Sequence, residues 1–324
     1  MSCRKRLAPG SAGAETGVVE IACDESGSEG EKLIGATTDV FAHAGVRLDP
    51  AAAAGHVEEI RRRAPARSVE YKAYHLLRER HRSALVWLLG GRGPLCGNAH
   101  VYLADKAFLV VRAVVDLLVE RPAEAMALAL YREGRHRFDS ARWQDFLVSS
   151  NNLLRVRNRK GVPTPVDTFL HAVHALRAGA AGEVADVLAL LGAARARADS
   201  FRARPADRPA PTLDPLIPAV AAAVAHWGAG GQPVTVVHDR QNALSDERVA
   251  RLTSAGGLAG LRLVDSRADA RVQVADVLAG AARKIASDEL NGHGDAELTA
   301  LLRPYVDRSS TWGDDRSQPL LVGQ

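Results

Sequence analysis

Pro233-Val234-Thr235-Val236-Val237-His238-Asp239 is the segment that most narrows what this chain can fold into. A run so short and so apolar, opened by proline and closed by an acid, reads as a strand covered on both faces. Such a strand belongs inside a sheet flanked by helices. An earlier segment, Val18 to Cys23, has the same form and also runs into a carboxylate, Asp24. With helical patterns dominating elsewhere, the expected class is α/β.

Punctuation along the chain divides it further. Residues 1–16, rich in Gly, Ala and Ser, read as a disordered leader. Leu33 to Gly35 and Val40 to Leu48 read as strands folding back in hairpin fashion. Asp49-Pro50 is a helix start, with aspartate as N-cap and proline at the first helical position, and that helix continues to about Arg63. A helix spans about Arg80 to Leu89, His100 to Ala104 is a strand, and an apolar helix begins at Asp105-Lys106. Asp105 suits an N-cap there, and Lys106 reads as a solvated side chain. From there to about Gly231 nearly everything reads helical, in segments separated by Gly, Pro or polar breaks. After the Val234 strand come a helix from Gln241, a strand at Leu258 to Val264 and a helix from Arg271 to about Asp288.

Charge and cysteine content limit the functional classes. Lys+Arg 42 against Asp+Glu 38 gives a net charge of +4, which permits a polyanionic partner without requiring one. Arginine supplies nearly all of the positive charge, as in a chain with high-GC codon bias, so each lysine stands out more than any arginine. Cys3, Cys23 and Cys96 are widely spaced and form neither a disulfide framework nor a thiolate zinc site, which points to a reducing, cytoplasmic setting. No apolar stretch is long enough to span a membrane. Neither glycine-rich stretch forms a phosphate loop, and no Ser, His and Asp set sits on a nucleophile elbow. His171 and His174 are three apart on one helix, which reads as a partly buried pair.

The acids are more informative. Asp24 and Asp239 both sit just past the apolar part of a strand, where hard-cation sites place carboxylates. Asp24 also suits a turn before Gly27, and Asp239 suits a cap on the helix near Gln241. In the last long helix, Val274, Leu278, Ala281 and Ile285 form an apolar stripe, while Gln273, Asp276 and Gly280 share another side. Asp276 is the one acid between Arg271 and Ala286, and burying it calls for a cation.

Taken together, Asp24-Glu25-Ser26-Gly27, Glu70-Tyr71-Lys72, the strand ending at Asp105-Lys106, the strand ending at Asp239, and Asp265-Ser266 followed by Val272 to Gly280 resemble a bacterial and phage family known as domain of unknown function 3800. The resemblance covers about residues 18–120 and 233–287. It implies a ribonuclease H-like mixed sheet flanked by helices, with a core of residues 17–120 and 233–290, an inserted helical subdomain at 121–232 and a C-terminal extension at 291–324.

That resemblance also implies a chemistry: a nuclease or related phosphodiester hydrolase that uses two Mg²⁺ or Mn²⁺ ions, about 3.5–4 Å apart, on nucleic acid. Asp24, Asp239 and Asp276 would hold the ions. The glutamate that usually completes the set has two candidates, Glu70 and then Glu25. Lys72 would meet the scissile phosphate or pair with a carboxylate, and Gln273 would contact a ligand or water. Arg155, Arg157 and Arg159, in a basic stretch interleaved with Phe138, Trp143 and Phe146, suit phosphate contacts with base stacking, and equally suit a solvated helix face. The alternative is a non-catalytic nucleic-acid- or protein-binding module on the same fold. The metal reading requires the three aspartates to converge in space.

Overall fold

A computed structural model of the chain describes residues 17–67, 71–119, 123–155, 165–204, 213–241, 243–254 and 256–323. The expected leader, Glu70, Arg157 and Arg159 lie outside them. The chain runs β1 (Val19–Ser26), β2 (Val40–Val46), α1 (Pro50–Arg63), α2 (Ala73–Leu76), α3 (Arg82–Leu89), β3 (Ala99–Asp105) and α4 (Lys106–Leu118). Then follow α5 (Glu124–Arg137), α6 (Ser140–Leu154), α7 (Pro165–Arg177), α8 (Gly182–Ala193), α9 (Arg195–Arg202) and α10 (Leu216–Trp227). The remainder is β4 (Val234–Asp239), α11 (Asp246–Ser254), β5 (Leu258–Val264), α12 (Ala270–Leu290), α13 (Ala296–Leu302) and α14 (Gln318–Leu321).

The five strands form one mixed sheet in the order β3-β2-β1-β4-β5. β2 is antiparallel to both of its neighbours, whereas β4 is parallel to β1 and to β5. The strands that carry Asp24 and Asp239 are therefore adjacent and point the same way. Cys23 pairs with His238, so Asp24 and Asp239 follow side by side, Asp239 closing β4 while β1, expected to end at Cys23, continues to Ser26. Neighbouring strands lie about 4.8 Å apart.

Strand alternation sorts the two faces. Ala22, Ala42, Ala44, Val101 and Val237 pack with Val274, Leu278 and Ala281 of α12 and with Ile60 of α1. Ile21, Cys23, Phe41, Tyr102 and Val236 pack with Leu216, Val220 and Val224 of α10 on the opposite face. α12 runs alongside β1 in the same direction. Arg271 bonds Glu20 near the start of both elements, at 2.6 Å, and Arg283 bonds Ser26 near the end of β1, at 2.9 Å. Six strand residues and twelve helix residues both span about 18–20 Å, so the two stay in step.

Helices α4 to α8 share a third apolar cluster, built around Val111, Leu130, Phe146, Phe169 and Leu188. This cluster takes in α4 and leaves out α10, which covers the sheet. The C-terminal segment also packs into the core. Tyr305, Trp312 and Leu321 join the α12 face, and Val306 and Thr311 bridge to β3. Among the described residues no helix is long and apolar enough to cross a membrane.

Several local expectations change. Leu33-Ile34-Gly35 is not a strand, because the Leu33 and Ile34 amides donate to the Asn151 side chain of α6, at 3.0 and 3.1 Å, instead of to a ladder. The helix expected from Gln241 begins at Asp246. Lys106 is 1 % exposed rather than solvated, its ammonium donating to Glu29 at 2.7 Å and to Thr38 Oγ1 at 2.6 Å. Cys96 is disulfide-bonded, whereas the cysteine spacing suggested no disulfide. The Asp49 cap is as expected, with the carboxylate accepting from the Ala51 and Ala52 amides at 2.9 and 3.2 Å.

Candidate functional site

β1 carries Glu20, Ala22, Asp24 and Ser26 on its α12 face, where Glu20 meets Arg271 and Ser26 meets Arg283. Gly27 then turns the chain away with φ +84°, where a Cβ would lie 2.5 Å from the Val40 carbonyl oxygen. Glycine meets that demand without strain. Asp24 is 5 % exposed, and its one hydrogen bond among the described residues comes from the adjacent Glu25 amide, at 2.7 Å. Burial, followed by the charges of Glu25, Asp276 and Asp239, pushes its carboxyl up to about 9. Asp24 is thus a buried acid facing other acids, with no cation against it among the described residues.

Asp276 comes from α12 by way of a close helix contact. A Cβ on Gly280 would lie 2.4 Å from the Ala73 Cβ, so α2 sits directly on α12 one turn beyond Asp276. Lys72, the residue before Ala73, thereby reaches Asp276, its ammonium donating to Oδ2 at 3.0 Å. Asp239 ends β4 and accepts from the Ser266 amide at 3.0 Å, which replaces the expected cap on a following helix with a tie to the β5–α12 connection. The acidic side of α12 continues beyond the expected Gln273, Asp276 and Gly280. Gln273 is half-buried on that side, and one more step of the same helical spacing reaches Arg283, whose guanidinium donates to Ser26. Extending the i, i+3, i+7 pattern by one turn finds Arg283 in the sequence.

Glu25 lies elsewhere. Adjacent strand residues face opposite sides, and Glu25 points to the α10 face. It accepts from the Gln241 amide, and its other oxygen lies 3.7 Å from His238 Nε2. His238 stacks on His43, with ring centroids 5.4 Å apart, and both His43 nitrogens are buried without a hydrogen-bond partner among the described residues. Burial first, then Asp239 and Asp214, push the Glu25 carboxyl up to about 7 against the opposing Gln241 bond. Glu25 therefore does not share the face of the three aspartates.

The three aspartates share one face and one end of the sheet, and the charges of Asp276 and Asp239 both act on Asp24. They do not form a tight triad. Among the described residues, the groups that bring three ligand atoms within 4.8 Å of one another are His100, His226 and Asp307, and His136, Asp314 and Asp315. Asp24, Asp239 and Asp276 are not among them, so the convergence that the metal reading requires is not met at that distance.

The basic stretch reads differently in place. Trp143 and Phe146 are buried in the helical cluster, not presented for stacking. Arg132 donates to the Gly313 carbonyl at 3.1 Å, and the Arg135 guanidinium lies 3.6 Å from Asp314, so both tie α5 to the C-terminal segment. Arg155 ends α6 half-buried, with its Nε lacking a hydrogen-bond partner. His171 and His174 are exposed rather than partly buried. A cavity of about 710 Å³ opens farther along α12, lined by Thr37, Asp39, Lys106, Trp143, Ser287 and Asn291, and none of the three aspartates lines it. No family model, no curated protein and no solved structure matches the chain.

Proposed function

We propose that this chain is a divalent-metal-dependent phosphodiester hydrolase acting on nucleic acid, on a ribonuclease H-like fold with a helical unit between β3 and β4. The observation that carries the reading is Asp24, a nearly fully buried carboxylate whose burial and acidic neighbours raise its proton affinity. A protein tolerates such a group at a cost, and a divalent cation would relieve it. The sheet order and the antiparallel placement of β2 support the fold.

The donors fit Mg²⁺ or Mn²⁺, since Asp24, Asp239 and Asp276 offer only hard oxygens. An ion shared by all three would require their side chains to close on one another, since Asp24, Asp239 and Asp276 are not among the described groups with three ligand atoms within 4.8 Å. When bound, such ions would activate a water and stabilise the leaving oxygen of a phosphodiester. The chain's own residues position that chemistry. Ser266 N–H orients Asp239, the Gly280–Ala73 contact sets Asp276 beside Lys72, and Ser26 holds Arg283 at the rim. Lys72 and Arg283 supply the positive charge that a phosphate needs.

The second reading is a non-catalytic binding module. The Lys72–Asp276 ion pair favours it, because the ammonium occupies the oxygen that a metal would use. The deciding experiment is Mn²⁺- and Mg²⁺-dependent cleavage of single- and double-stranded DNA and RNA by wild type and Asp24→Ala. The hydrolase reading expects metal-dependent cleavage that falls by at least about 100-fold in the variant. Cleavage that survives the substitution, or binding without cleavage of any of the four substrates, overturns it.

A further inference from the structure

A second cluster lies on the opposite face of the sheet and draws on three distant parts of the chain. His100, the second residue of β3, is 1 % exposed. Its Nε2 meets Asp307 Oδ2 at 2.6 Å, while its Nδ1 is buried with no hydrogen-bond partner among the described residues. Asp307 is held rigidly, its amide donating to the Val101 carbonyl at 2.7 Å and its Oδ1 accepting from the Ser309 amide and hydroxyl at 2.7 and 2.6 Å. His226, near the end of α10, brings its exposed ring to 4.6 Å from that of His100, and Trp227 packs edge-on against it. One ligand atom from each of His100, His226 and Asp307 lies within 4.8 Å of the others.

We infer that His100, His226 and Asp307 form a binding site for a transition-metal ion of the Zn²⁺ class, separate from the carboxylate site. Two imidazoles and a carboxylate are a borderline donor set, which suits Zn²⁺ and is poorly matched to Mg²⁺ or Ca²⁺. The site has three protein ligands and, through the exposed His226, an open side where water completes a four-coordinate shell. The Ser309 bonds to Asp307 hold the carboxylate in place, as outer-shell partners do around metal ligands. Bound metal would tie β3, α10 and the C-terminal segment together, and so couples to the stability of the sheet edge that those elements cover.

The test uses the full-length untagged chain, stripped with a chelator and dialysed, then titrated with Co²⁺ as a visible probe and with Zn²⁺ in competition. The site predicts one tetrahedral Co²⁺ per chain, counted from the intensity of its visible absorption and displaced by Zn²⁺, and a rise in Tm of about 5 °C at saturating Zn²⁺. His226→Ala, at an exposed position, should keep the chelator-treated Tm of wild type and weaken Co²⁺ binding by at least about 100-fold. Asp307→Asn, which preserves a hydrogen bond to His100, should weaken it as well. Asp24→Asn should leave it unchanged, so this result is independent of the hydrolase reading. Absence of a visible band and of Zn²⁺ stabilisation in wild type overturns the site, as does affinity within about 3-fold of wild type in both His226→Ala and Asp307→Asn.

Discussion

Ala73 rests directly on Gly280, where a side chain would place its Cβ 2.4 Å from the alanine methyl. That contact links two segments more than two hundred residues apart, and it carries Lys72 to Asp276. Gly280→Ala would force α2 away from α12, an overpacking that costs about 1–3 kcal/mol. Urea unfolding should show a lower midpoint with an unchanged slope. A variant as stable as wild type would mean that α2 moves freely and does not position Lys72.

If the hydrolase reading holds, Lys72 and a divalent cation would compete for the same Asp276 oxygen, since the ammonium already donates to Oδ2 at 3.0 Å. Lys72→Met removes the competitor and keeps the aliphatic bulk. Mn²⁺ affinity in the absence of substrate should rise, by about 3- to 10-fold on the scale of a partly exposed charge pair. Isothermal titration reads this directly. Unchanged affinity would place the ion away from Asp276.

Lys106 offers a stability test outside the acidic site. It is 1 % exposed, and its ammonium donates to Glu29, to the Thr38 hydroxyl and to the Thr38 carbonyl, pinning the β1–β2 connection to the start of α4. Lys106→Met leaves Glu29 without its cation, and the expected loss is about 2–4 kcal/mol. Thermal melts should show it, and limited proteolysis should cut first within residues 28–39. A melt unchanged from wild type would show that the loop is held by other contacts.

The frame of this fold was legible where local chemistry decides it. The apolar run Val234 to Val237 declares a buried strand, and Asp49-Pro50 declares a helix start, because each signal lies within a few residues. The side-by-side placement of Asp24 and Asp239 follows once two such strands are parallel neighbours. Glu25 was also decidable, since alternation alone turns it away from Asp24. Lys106 was not, because its partners Glu29 and Thr38 arrive from a loop with no pattern. His100, His226 and Asp307 are unreadable for the same reason: a strand, a helix end and an irregular segment meet only after the C-terminal residues fold back along β3. Gly280 lies between these cases. Its place one turn after Asp276 is visible, but the reason for glycine is a neighbour, Ala73, that only tertiary structure supplies.

Asp24 gives the most direct link between stability and site chemistry. Burial and the charges of Glu25, Asp276 and Asp239 raise its carboxyl from the ordinary 3.8 to about 9. A folded-state value above the unfolded one means that the native chain holds a proton the unfolded chain has released. Stability from this group is therefore complete below about pH 4 and declines as pH rises toward 9. Asp24→Asn keeps the shape and removes the titration. In chelator the variant should match wild type near pH 4 and exceed it at pH 8 by about 1–3 kcal/mol, a difference read from paired urea titrations. Added Mn²⁺ should reverse the order at pH 8, because a cation stabilises the ionised carboxylate and offers the asparagine far less. If Asp24→Asn is less stable than wild type at pH 8 in chelator, the carboxylate is already compensated by the fold, and the argument for a cation at Asp24 fails.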